Sequence, residues 1–122
     1  MSSLRELLSV LPGFGREAVA HWWMQRLTAA ALLPLSVWFV FSIAMLGDAS
    51  HEAVVSWLKT PSATVLMGVF IVMTFYHTKL GIQVIIEDYV GGWLQAASMV
   101  LLNVVCILFA VAGILALLKI AL

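Results

Sequence analysis

The chain has 122 residues, 64% apolar and 10% charged, with six basic side chains balancing six acidic ones, against about a quarter charged residues in a soluble domain. Mean hydropathy is +1.12, and a soluble domain this small buries only about 60% of its unfolded surface, so a soluble catalytic domain is excluded. Neutral balance without a basic cluster argues against nucleic acid as a partner. The one cysteine, Cys106, leaves no internal disulfide and no Cys/His metal spacing.

Three stretches carry no charge: 21 residues between Arg26 and Asp48, 19 between Lys59 and Lys79, and 30 between Asp88 and Lys119. A spanning helix takes about 20 predominantly apolar residues. The prediction is an all-α fold, one membrane-anchor domain over residues 1–122 with transmembrane helices at 27–46, 61–86 and 93–118. Residues 1–20 read as a cytoplasmic or interfacial arm. There Leu4, Leu7, Leu8 and Leu11 recur at helical spacing until Pro12-Gly13-Phe14-Gly15 breaks the pattern. The charges at Arg5, Glu6, Arg16, Glu17 and Arg26 leave no continuous apolar core for a secretory signal. The same stretch lacks the Arg- and Ser-rich character of a mitochondrial transit peptide, which favours a bacterial or mature chain.

Trp22 and Trp23 lie where indole rings anchor among headgroups. The first span contains Pro34 and ends at Gly47-Asp48. In the following loop, Val54, Trp57 and Leu58 at helical spacing, with Ser50 as N-cap, predict a short surface helix. Thr60-Pro61 opens the second span as cap and first helical residue, and Glu87-Asp88-Tyr89 ends it. Gly91-Gly92 makes a tight turn, so the second and third spans are antiparallel neighbours. Arg5, Arg16, Arg26 and Lys79 on one side against Lys59 and Lys119 on the other put the N-terminus in the cytoplasm.

Ionisable groups inside spans are expensive and mark candidate sites. His77 lies roughly 10 Å inside the inner end of the second helix, by 1.5 Å per residue. A neutral imidazole there has two uses, as an axial ligand to haem iron or as a hydrogen-bonding group across the bundle. Phe70, Met73, Gly81 and Asp88 share its helix face. Gly81 gives room for a flat macrocycle or, equally, for ordinary helix contact. Lys79 points away, its stem snorkelling to the inner surface. His21 and His51 lie at other depths, so a bis-histidine haem would bridge two subunits. Glu87-Asp88-Tyr89 with Arg26 reads as a polar helix end or as a quinone headgroup site. In the second reading the phenol donates to a quinone carbonyl, the carboxylate relays protons and the guanidinium balances charge. Asn103 is expected to hydrogen-bond across helices.

The run from His77 to Val90, with Gly81 four residues after the histidine and Asp88-Tyr89 at eleven and twelve, resembles the second-helix signature of succinate dehydrogenase (complex II) hydrophobic membrane anchors, D type. Arg26-Leu-Thr28-Ala29 is similar to that family's Arg-x-Thr-Ala at the first helix. The resemblance covers essentially the whole chain. It implies a three-helix anchor within a multi-subunit helical bundle, in the bacterial inner membrane, feeding electrons from succinate oxidation in the tricarboxylic acid cycle to ubiquinone. His77 would be an axial ligand of haem b and its iron, shared with a cytochrome b556-type anchor subunit. Tyr89 would bind ubiquinone with Asp88 beside it, Arg26 would neighbour a haem propionate or the quinone, and iron–sulfur and flavoprotein subunits would dock on the cytoplasmic face. A cytochrome b-type anchor of fumarate reductase, and a non-redox membrane scaffold or transporter component, are the alternatives.

Overall fold

The computed structural model describes residues 16–47 and 50–122, with side chains in the first helix described from Val19. Among these residues are α1 (Arg16–Leu46), α2 (His51–Leu58), α3 (Pro61–Tyr89) and α4 (Trp93–Ala121). The fold is all-α with three helices, α1, α3 and α4, long and apolar enough to cross a membrane. Their 31, 29 and 29 residues reach about 43–46 Å at 1.5 Å each, the thickness of a bilayer with its headgroups. The leucine-patterned arm, the Pro12–Gly15 break and Asp48 lie outside the described residues. α1 is already helical at Arg16, well upstream of Leu27, and runs through Pro34 without a break.

Local sequence explains the joints. Gly47 follows α1 with φ +66°, the left-handed conformation that ends helices. Ser50 caps α2, its hydroxyl accepting from the Ala53 N–H at 3.2 Å. Thr60 has N-cap backbone angles, but its hydroxyl turns back to donate to the Trp57 carbonyl at 2.7 Å. Thr64 Oγ1 lies 2.6 Å from the Leu58 carbonyl oxygen, so the α2–α3 joint meets its own polar needs. At the other end Gly92, with φ 69° and ψ −149°, holds a conformation open to glycine alone. There Gln95 Nε2 donates to the Glu87 carbonyl at 3.2 Å.

α3 is the central helix and packs on both α1 and α4. Against α1 it sets Phe70 on Phe39, with ring centroids 5.3 Å apart, and Gly81 beside Gln25. Against α4 it stacks Phe75 on Phe109 at 6.3 Å, and Gly113 lets Ile71 come close enough that a Cβ would meet its Cγ2 at 3.2 Å. The paired numbers rise on one helix as they fall on the other, so both neighbours run antiparallel to α3. α2 lies across the far end of α1, Trp57 against Trp38 and Phe39 with centroids 5.7 and 6.3 Å apart.

Among the described residues few are enclosed: Leu35, Ala63, Leu80, Leu102, Cys106 and Leu117 of the apolar ones, and Thr28 alone of the polar ones. Large apolar side chains such as Leu33, Phe41, Leu101 and Phe109 point outward, as suits a thin helical layer in a lipid solvent. Asn103, expected to reach across helices, instead donates to the Met99 carbonyl of its own helix at 2.9 Å. Its amide finds a partner one turn back without crossing to another helix. Gly113→Leu should force α3 and α4 apart and cost about 1–3 kcal/mol, measured as a lower detergent-denaturation midpoint of the membrane-extracted protein.

Candidate functional site

His77 sits on the face of α3 turned to α1. Its ring is half-buried, and Nδ1 lies 2.8 Å from Thr28 Oγ1. Thr28 is 2% exposed, the most enclosed polar side chain described. Its Oγ1 also lies 2.7 Å from the Met24 carbonyl oxygen and 3.1 Å from that of Gln25. Nε2 of His77 has no hydrogen-bond partner among the described residues. Nor is it one of the enclosed polar atoms left unpaired, which are His21 Nε2 and Gln25 Oε1, so it keeps some accessible surface. The interhelical hydrogen bond anticipated for this imidazole thus occupies one ring nitrogen and leaves the other for a ligand.

His21, Gln25 and Thr28 recur at i, i+4 and i+7, one stripe along α1. Gln25 fills the space over Gly81, its Nε2 3.6 Å from where a Cβ would stand. His21 Nε2 and Gln25 Oε1 on this stripe are enclosed without a partner among the described residues, each at a cost of about 1–3 kcal/mol. Sequence reasoning missed Gln25 and left His21 without a place. The signal was the polar stripe itself at the head of an apolar helix.

The acidic end of α3 is arranged differently from expectation. Tyr89 is 84% exposed, and Glu87 and Asp88 are exposed beside it. Gln83 Nε2 donates to Glu87 Oε1 at 3.0 Å. Arg26 was expected at the same rim. Two residues from Thr28, it projects about 200° round α1 and rests 4.8 Å from the Trp22 ring centroid. Because Gln25 is level with Gly81, the Arg26 backbone stands roughly 13 Å along the axis from Tyr89, while its guanidinium leans back over Trp22, towards the rim. The cause is the continuation of α1 to Arg16, which carries the helix past Arg26 to the rim. Lys79 also departs from expectation: its Nζ leans towards the N-terminal end of α3, 5.9 Å from the Tyr76 ring centroid. This exchanges a reach for the rim for a cation–π contact.

The family model described as "Succinate dehydrogenase/Fumarate reductase transmembrane subunit" matches residues 8–116. The chain belongs to that family. It is 30% identical over 107 residues to the succinate dehydrogenase hydrophobic membrane anchor subunit of Rickettsia conorii, covering 86% of this chain and 85% of the relative. To the succinate dehydrogenase membrane anchor subunit of Reclinomonas americana it is 36% identical, over 59% of this chain and 62% of that one. To the hydrophobic membrane anchor subunit of Paracoccus denitrificans it is 24% identical, over 72% and 68%. No solved structure matches.

For this transmembrane subunit, Gly81 separates two demands. An added Cβ would make only an ordinary contact with the flexible Gln25 side chain, so α1–α3 packing does not itself require glycine. Gly81→Ala should preserve the helix pair and add about 0.5–1 kcal/mol of helix stability. A rise or no change in the detergent-denaturation midpoint is the expected reading, and a fall would show that Gln25 cannot yield.

Proposed function

We propose that the chain is the D-type hydrophobic membrane anchor of a succinate:quinone oxidoreductase, holding one side of haem b through His77 and presenting Tyr89 to ubiquinone. The observation that carries the reading is an imidazole fixed at Nδ1 within a membrane-spanning helix while Nε2 is unpaired among the described residues and not enclosed. Such a donor fits haem iron, whose histidine ligands bind by one nitrogen and are oriented through the other. The names of the relatives favour succinate oxidation over the fumarate reductase alternative.

Haem b would supply a one-electron carrier between an iron–sulfur subunit and quinone. This chain's residues bind and orient. His21 lies two turns from Thr28 along α1 and His51 opens α2 at the far end, so a second histidine for the haem would come from another chain, a cytochrome b556-type anchor. Arg26, its backbone about one turn from His77 along the axis and its guanidinium over Trp22, neutralises a haem propionate or meets the quinone. Tyr89 donates its phenol O–H to a quinone carbonyl as charge develops there, and Asp88 beside it holds or passes a proton. The exposed Glu87–Tyr89 end is the side for the iron–sulfur and flavoprotein subunits. The distribution of Lys and Arg supports a cytoplasmic location for that end and for the N-terminus, in a bacterial inner membrane.

Reduced-minus-oxidised spectra of the purified complex test the ligand. His77→Ala should abolish or displace the b-type signal with the subunits still assembled. A wild-type complex lacking that signal would favour a haem-free anchor or the non-redox scaffold. Tyr89→Phe should keep the haem spectrum and lower succinate:quinone reductase activity by about 10²-fold or more, the scale of losing one donor at a developing oxyanion. Unimpaired reduction of added quinone would remove Tyr89 from the site.

A further inference from the structure

We infer that Thr28 is a positioning residue that holds His77 as the Nδ1–H tautomer, keeping Nε2 as a bare lone pair. The argument is a proton count. Thr28 Oγ1 carries one proton and has three close polar neighbours: the Met24 carbonyl oxygen at 2.7 Å, the Gln25 carbonyl oxygen at 3.1 Å and His77 Nδ1 at 2.8 Å. Carbonyl oxygens only accept. Were the hydroxyl proton given to Nδ1, both carbonyls would face the oxygen with no proton between. Given to the carbonyls of its own helix, as helical threonines do, it leaves the oxygen as an acceptor, and the contact to Nδ1 is a hydrogen bond only if Nδ1 carries the proton.

The surroundings make this choice binding. Thr28 is enclosed and lies in a span, so no water supplies the missing partner. A neutral imidazole with its proton on Nδ1 has its lone pair on Nε2, the form a metal ligand needs. A neutral hydroxyl is also a weaker acceptor than the carboxylates that often orient metal-bound histidines. Some negative charge is still drawn onto the ring, favouring ferric over ferrous iron. This last consequence rests on the haem reading above; the tautomer does not.

Two variants in the purified complex separate the outcomes. Thr28→Val keeps the shape and removes the acceptor, and Thr28→Ser keeps the hydroxyl and removes the methyl. With haem bound at His77, Thr28→Val should shift the ferric-to-ferrous affinity ratio towards ferrous by up to about tenfold, a rise of up to about 59 mV in a one-electron titration. Thr28→Ser should titrate as wild type. An unchanged potential in Thr28→Val, or an equal shift in Thr28→Ser, overturns the inference, the second outcome assigning the effect to packing. Should the wild-type complex hold no haem at His77, the haem reading fails by itself. Nitrogen NMR of that complex with isotopically labelled histidine then decides the tautomer. A proton on His77 Nδ1 that redistributes to Nε2 in Thr28→Val sustains the inference, and a wild-type proton on Nε2 overturns it.

Discussion

A single enclosed hydroxyl joins two membrane-spanning helices where Thr28 meets the imidazole of His77. In water the bond between Thr28 and His77 would be worth little, because each group could turn to solvent. Inside a span neither has that alternative, and leaving either polar atom bare costs about 1–3 kcal/mol. The geometry around Thr28 Oγ1 therefore sets how the imidazole is turned and is one of the contacts that set how α1 and α3 face each other. Residues forty-nine positions apart in the chain are held in one register by it.

The two sides of α3 use different physics. Towards α1 the seam is polar, with His21, Gln25 and Thr28 in a stripe opposite His77 and Gly81. Towards α4 it is apolar and close, through Phe75 on Phe109 and the gap that Gly113 leaves for Ile71. Lipid tails are as apolar as leucine, so burying leucines does little to drive helices together there. Small residues, stacked rings and a few hydrogen bonds do that work instead, and the large apolar side chains stay outside. In the proposed complex the α1–α3 seam, through Nε2 of His77, meets the second anchor and the haem.

Continuity of α1 changes the relation between the two candidate clusters. With the helix intact from Arg16 to Leu46, Arg26 falls nearer the level of His77 than that of Tyr89, and it projects away from Thr28. In the proposed complex, charge compensation by Arg26 and hydrogen bonding at the α3 terminus are separate duties, their backbones about 13 Å apart along the helix, and α3 carries His77 and Tyr89 on a single rod.

Three long spans, the glycine joint at Gly91-Gly92, the Ser50 cap and the candidacy of His77 were all legible in the amino-acid order. Each depends on local chemistry: run length against bilayer thickness, φ values open only to glycine, a short polar side chain before a helix, an imidazole in hydrocarbon. The partner of His77, the rotation of Arg26, the lean of Lys79 onto Tyr76 and the self-bonding of Asn103 were not. These depend on the rotation and axial register of one helix against another, which arise from the sum of contacts such as Phe39–Phe70 and Gly113–Ile71. A uniformly apolar helix has no amphipathic face to announce that rotation, so only the tertiary packing decided it.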